Sequence, residues 1–397
     1  MNTMNATSPA IDKTIYRSNG SIVFSSILAS ASFIFQILNI PSIVSLCFYI
    51  SIALVAVNYS MRVVATKRMS GYILVIGVLM LLSFAMSGFV LNFELYKQAI
   101  IVMCCVLCID DSRETKFSIK EFRAIEYCFL GAASFAIFMF YAVGLRYVYF
   151  KDTYSVAMNF SNPNALSLWL SAFFIGISIC FFIESRKIFK ILLLASAVLL
   201  VPIINATESR NSLISCILVI ATLVLINIRS KKRRFRKMPS WIIFLLTALP
   251  AIIFFVYMYV VIPNIDFFED VFSFLIGHGK SLRSRAHVWQ IVDDNLLSCL
   301  FFGKYNSFYA SQMHNSLMTL YCMFGAPATY LISAIFYNSV KRKNVYSQIA
   351  LIGIWSTGCF EASIFVGVAG IYLMLQILPA IGDAVQNSFE TQAQHNR

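Results

Sequence analysis

Runs of about twenty residues without a charge recur along this chain, for example Ser42–Met61 and Ser240–Ile262. A helix rises about 1.5 Å per residue, so each run can cross roughly 30 Å of hydrocarbon. Backbone amides in lipid must be paired internally, and these runs lack the two-residue alternation of barrel strands. The runs therefore predict an all-α, polytopic integral membrane protein. Composition agrees: 59% of residues are hydrophobic, only 12% are charged, and mean hydropathy is +0.77. A soluble domain has an apolar share of about 45–50%.

The expected spans lie near 22–38, 42–61, 71–93, 96–109, 124–144, 165–183, 188–205, 211–228, 240–262, 315–338, 346–360 and 364–382, about twelve in all. The fourth is short enough to be tilted or partly re-entrant, and the last two are hard to separate. Ile22–Leu38 is long for a signal peptide and has no small-residue cleavage site after it, so it reads as an uncleaved first span. The chain then divides into an N-terminal tail (1–21), nine spans (22–262), a large loop (263–314), C-terminal spans (315–382) and a C-terminal tail (383–397).

Charge sets the orientation. The two tails and the even-numbered connections hold 23 of the 31 Lys and Arg residues, most densely in Arg229–Lys237, "RSKKRRFRK". Cytoplasmic loops retain positive charge, so both termini are expected inside. That explanation removes the need for a nucleic-acid partner. The other eight basic residues, Lys97, Arg146, Lys151, Arg210, Lys280, Arg283, Arg285 and Lys304, are expected outside. Four of them sit in the large loop, which contains "GHGKSLRSRAHVWQ" (Gly277–Gln290). A cluster that violates the charge rule is usually kept for function.

Three outer segments carry candidate chemistry. "NATESRNSL" makes a tight turn with Arg210 two residues after Glu208. Arg210 either reaches lipid phosphates or Glu208, or offers a guanidinium to an anionic headgroup. From about Ser284, "SRAHVWQIVDDNLLSCLFF" predicts a helix along the interface, with Trp289 at headgroup depth and Arg285 on the same face. "FFGK" then turns the chain back toward the membrane. In "SQMHNSLMTLYCMFG", Asn315 or Ser316 suits a helix N-cap, and His314 stands just outside the first turn. His314 is either a surface residue or a proton acceptor near the arginines.

Other chemistries lack their motifs. No phosphate-binding G-x-x-x-x-G-K-[ST] loop and no D-x-D pair occurs in the sequence. Asp110–Asp111 falls on the inner side, Asp293–Asp294 on the loop helix, and Glu269 and Asp270 read as acids of the large loop. No metal site or cofactor is expected. Nine of ten Cys lie in apolar runs, and Cys105–Cys108 has no second pair, so no disulfide framework is expected.

The order of these pieces resembles the O-antigen ligase and polymerase superfamily, bacterial membrane glycosyltransferases that use undecaprenyl-diphosphate-linked glycans. The matching segments are "FSNPNALSLWL" (Phe160–Leu170), "TESRNSLI" (Thr207–Ile214), "SRAHVW" (Ser284–Trp289), "FFGK" (Phe301–Lys304), "MHNSLMTLYCMFG" (Met313–Gly325) and "CFEASIF" (Cys359–Phe365). The resemblance spans roughly Asn159 to Ile364, and the first five spans match only in hydrophobicity.

The resemblance implies a metal-independent, inverting transfer at the periplasmic face of a bacterial inner membrane, with undecaprenyl-diphosphate-linked oligosaccharide as substrate. It implies that Arg210 and Arg285 hold the lipid diphosphate and that His314 orients or deprotonates the attacking hydroxyl. Arg283, Trp289, Asn315 and Asn164 follow as substrate-contact candidates. Arg283 competes with Arg285, because the family pattern carries a small residue before its Arg and here Arg283 precedes that residue, Ser284. A chain-length regulator protein and the lipid bilayer are the implied partners. Ligases often carry a second His two residues before the His-Asn pair, where this chain has Gln312, so the expectation leans to a polymerase. A ligase to lipid A-core and a flippase for the same lipid-linked units are the alternatives, although no convincing internal repeat supports a transporter.

Overall fold

Among the described residues, seven helices are long and apolar enough to cross a membrane by length and composition, which fits a multi-pass, all-α membrane protein. The computed structural model describes residues 19–67, 69–88, 93–111, 118–144, 147–150, 153–160, 162–230, 237–276, 286–308, 314–359 and 370–383. The long helices are α1 (Asn19–Ile37), α2 (Pro41–Thr66), α5 (Ile119–Phe138), α6 (Pro163–Ile183), α7 (Lys187–Ala206), α9 (Ser240–Val256) and α13 (Ser316–Arg342). Wide π turns lengthen α5 to Val143 and α9 to Val261.

The other five expected spans coincide with shorter or more polar helices: α3 (Gly71–Met86), α4 (Phe93–Asp110), α8 (Arg210–Ser230), α14 (Val345–Ser356) and α15 (Ile371–Asp383). The first part of the span expected at 364–382 lies outside the described residues. A hairpin of β1 (Tyr147–Phe150) and β2 (Thr153–Val156) joins α5 to α6. The large loop is more helical than its sequence suggests, with α10 (Ile265–Ile276), α11 (Ala286–Asp294) and α12 (Tyr305–Phe308). The interfacial helix expected to run on from Ser284 ends at Asp294, where the chain passes into turns.

Local chemistry explains the helix starts. Pro occupies the first turn of α2 and α6, where its missing N–H costs nothing. Ser118 and Glu121 form a reciprocal capping box at α5. The Asn344 side chain accepts from the Tyr346 and Ser347 amides at 3.0 Å each, starting α14 right after α13.

α6 is the central helix. Its most apolar window is 83% buried, against 33% for α2, α5 and α7. Trp169 and Phe173 of α6 pack with Phe33 of α1 at 4.9–5.9 Å between ring centroids. The outer helices turn large side chains away from the bundle, including Val64 on α2, Leu81 on α3, Ile188 on α7 and Leu225 on α8. In water such faces would associate, whereas lipid tails solvate them.

Ion pairs and hydrogen bonds sort the helix ends into two groups. The ion pairs among the described residues lie where α2, α4, α13 and α15 finish and α7 begins. Arg62 meets Asp110 at 2.7 Å, Arg186 meets Glu126 at 2.8 Å and Glu184 at 2.6 Å, and Lys343 meets Asp383 at 2.9 Å. α6, α8 and α13 all start at the opposite end.

One helix is broken. Gly325 interrupts α13 with φ 82° and ψ 173°, two residues before Pro327. Three backbone groups beside the break find partners outside the helix. The Ala326 amide donates to Leu300 O at 2.9 Å, and Cys322 O accepts from the Lys304 amide at 2.7 Å. Met323 O, four residues before Pro327, accepts the Ser83 hydroxyl of α3 at 2.6 Å.

Candidate functional site

The starts of α6, α8 and α13 are tied into one polar cluster. At α6, the Asn162 side chain accepts from the Asn164 amide at 2.9 Å, and the Asn164 carbonyl accepts the Ser167 hydroxyl at 2.8 Å. Ser167 then meets Ser212 of α8 at 2.9 Å, and Ser209 donates to Ser212 at 3.2 Å. Next along α8, Asn211 donates to Thr357 O at the end of α14, and Ser215 meets Ser356 at 2.8 Å. Asn315 closes the chain of contacts by donating to Cys359 O at 3.1 Å.

Asn315 is the N-cap of α13, as its position in "MHNSLM" predicts. Its Oδ1 accepts from the Met318 amide at 3.1 Å, while Nδ2 donates to Pro250 O of α9 at 2.7 Å as well as to Cys359 O. The side chain is fully buried. One amide thus fixes three elements, which gives Asn315 a structural role in addition to the expected substrate contact.

Backbone conformation marks the same places. Six non-glycine residues have positive φ among the described residues, and four immediately precede these helix starts. Met158 (44°) and Asn159 (65°) lead into α6, Glu208 (60°) into α8, and His314 (48°) into α13. Left-handed backbone costs an L residue about 1–2 kcal/mol, and such strain concentrates at functional sites. Asn159 is held by donating to Ile37 O at 2.6 Å, while its own carbonyl accepts from Gln36 at 3.1 Å. The partly buried His314 therefore projects from a constrained turn against a rigid helix start.

Three aligned N-termini at one end concentrate partial positive charge, an arrangement suited to an anion. Arg210 is the first residue of α8 and so belongs to this end of the bundle; its side chain lies outside the described residues. Arg283 and Arg285 also lie outside the described residues, as do His278 and Lys280. Among the described residues, no three His, Cys, Asp or Glu side chains converge as metal ligands would.

No protein-family model matches the chain, and no curated protein matches it.

Trp289 requires a correction. Its ring is fully buried, 4.7 Å from Tyr257 and 5.5 Å from Phe254. It anchors α11 to the end of α9 and faces protein, not lipid headgroups. Val292, three residues on, is buried on the same side, and His287 is exposed. Helical spacing identified the apolar face of α11, but a face buried by protein and one buried by lipid have the same composition.

The serine and asparagine contacts between α6, α8 and α14 were not singled out from the sequence. Their signal is the spacing of Asn211, Ser212 and Ser215, which puts polar groups on the first two turns of α8 where a lipid-facing helix would be apolar.

Proposed function

We propose that the chain is a membrane glycosyltransferase that polymerises a surface polysaccharide of O-antigen or capsule type. It transfers a glycan from undecaprenyl diphosphate to another lipid-linked repeat unit. The helices α1–α9 and α13–α15 supply twelve crossings, with both termini cytoplasmic and the loop 263–314 periplasmic. The observation that carries this reading is the joining of three helix starts, those led by Asn162, Ser209 and Asn315, at the end that bears Arg210 and His314. That end suits a diphosphate. Helix N-termini and guanidinium groups stabilise the charge that grows on the leaving lipid diphosphate. His314, at the start of α13, receives the proton of the attacking hydroxyl.

The charge pattern supports the orientation. The end opposite the polar cluster carries Lys187, Lys190, Lys341 and Arg342 in addition to the ion pairs, as a cytoplasmic face would. A transporter gains one observation in its favour, the break in α13. Ser83, Leu300 and Lys304 pair with backbone groups beside that break, which suits a fixed scaffold better than a moving gate.

The test is the surface polysaccharide of a deletion strain complemented with Arg210→Ala, Arg285→Ala or His314→Ala. Each variant is expected to leave single repeat units in place of a ladder. Wild-type ladders from all three would overturn the proposal. Long chains retained on undecaprenyl diphosphate would indicate a ligase, and units accumulating on the inner face a flippase.

A further inference from the structure

Cys299 is the cysteine that lies outside the apolar runs, and the fold brings it to Cys322 of α13. The segment 299–304 lies along 322–326, held by the Lys304 amide on Cys322 O at 2.7 Å and the Ala326 amide on Leu300 O at 2.9 Å. Next to those anchors the Cys322 thiol hydrogen-bonds the Cys299 sulfur, and both residues are fully buried. All ten cysteines are free thiols in this structure.

We infer that Cys299 and Cys322 form a disulfide that staples the outer loop to the broken helix. Disulfide formation requires side chains already facing one another, a condition that the contact between the two thiols meets. The reaction is thiol–disulfide exchange with an external disulfide, either a protein dithiol oxidant or a small disulfide. The Cys299 thiolate attacks one sulfur of the oxidant, forming a mixed disulfide and expelling a thiolate. Cys322 then loses its proton and attacks the Cys299 sulfur, which closes the bond and expels the second thiolate. The two cysteines lose two protons and two electrons, and the oxidant becomes two thiols.

Cys299 is suited to the first attack once local opening of the loop exposes its sulfur to the oxidant. The hydrogen bond from the Cys322 thiol, helped by Ser298 and Lys304, outweighs burial and brings it down to about 7. The bond would close the stretch from Leu300 to Tyr321, which carries His314 and Asn315. It would therefore restrict the unfolded chain around the candidate site. Only the source of the oxidant rests on the outward placement proposed above, since an oxidising compartment supplies one and the cytosol does not.

The test uses the full-length protein purified in detergent and equilibrated with oxidised and reduced glutathione. The protein is denatured with a maleimide present, before or after reduction, and its peptides are mapped by mass spectrometry. The expected result is labelling of all cysteines except Cys299 and Cys322 before reduction, a linked peptide joining those two, and full labelling afterwards. The double variant Cys299→Ala/Cys322→Ala should label identically with and without reduction. Full labelling of the wild type before reduction, or a linkage between other cysteines, would overturn the inference. A bond that forms in the purified protein but is absent after rapid alkylation of intact cells places the error in the outward orientation, not in the thiol pair.

Discussion

Gly303 and Gly325 interlock. A Cβ on Gly303 would collide with the Met323 carbonyl, and one on Gly325 would collide with the Phe301 carbonyl. Both glycines have positive φ, 69° and 82°. Their contact lets the outer loop lie against the break in α13 and pair its backbone there.

Gly325→Ala should therefore destabilise the protein strongly. Left-handed backbone costs about 1–2 kcal/mol and overpacking about 1–3 kcal/mol. Thermal unfolding in detergent should fall well below wild type, whereas Gly71→Ala, with open space around it, should unfold near the wild-type temperature. Equal behaviour of the two variants would contradict the interlock.

Asn315→Ala removes a cap worth about 1 kcal/mol and leaves the Pro250 and Cys359 carbonyls without their donor, at about 1–3 kcal/mol for a buried group. Asn315→Asp keeps the capping oxygen but sets a carboxylate against two carbonyls, so it should be no more stable than the alanine variant. Thermal unfolding of the pair ranks the two contributions. An aspartate variant as stable as wild type would mean that the donor side of Asn315 carries no weight.

His314→Gly should separate stability from activity. Glycine adopts φ 48° without the strain His bears, so the unfolding temperature should stay level or rise by the equivalent of up to about 1 kcal/mol. Polymer formation should nevertheless be lost. A variant that keeps its ladder would remove His314 from the chemistry.

Lys343 and Asp383 are each 5% exposed, and Asp383 also accepts from Asn344 at 2.8 Å and Ser347 at 2.9 Å. Asp383→Ala strands a buried ammonium and should cost about 3–5 kcal/mol. Replacing both charges, as in Lys343→Met with Asp383→Leu, should recover part of that loss. A double variant worse than the sum of the singles would show that the pair is not a closed unit.

The turn between α6 and α7 should respond to acid. Burial raises the Glu184 carboxyl, but hydrogen bonds from the Arg186 side chain and backbone outweigh it and hold it at about 2, below the ordinary 4.5. A lowered folded-state value stabilises above the unfolded value and is lost as pH falls through the folded one. The stability gap between wild type and Glu184→Gln should close as pH falls from 4.5 to about 2. A gap that widens toward pH 2 would reverse the assignment.

How much of this was legible depends on what each signal encodes. Asn162 before Pro163 and Asn315 before Ser316 announce helix starts from local chemistry, and both lie at such starts. The break in α13 also had a local signal, Gly325 followed by Pro327, but within an apolar run it reads as an ordinary kink. Trp289 could not be placed, because hydrophobic spacing fixes a face without naming what covers it. The joining of Ser167, Ser212, Asn211 and Thr357 was out of reach, since it depends on which helices become neighbours.

The closure of the α13 break has a consequence for how the chain is built. Ser83, Leu300 and Lys304, the groups that pair with the freed backbone, all precede Gly325 in the sequence. Synthesis runs from the N-terminus, so each partner already exists when the interrupted helix emerges. The exposed amides and carbonyls of α13 need not wait in hydrocarbon for a segment still to be made.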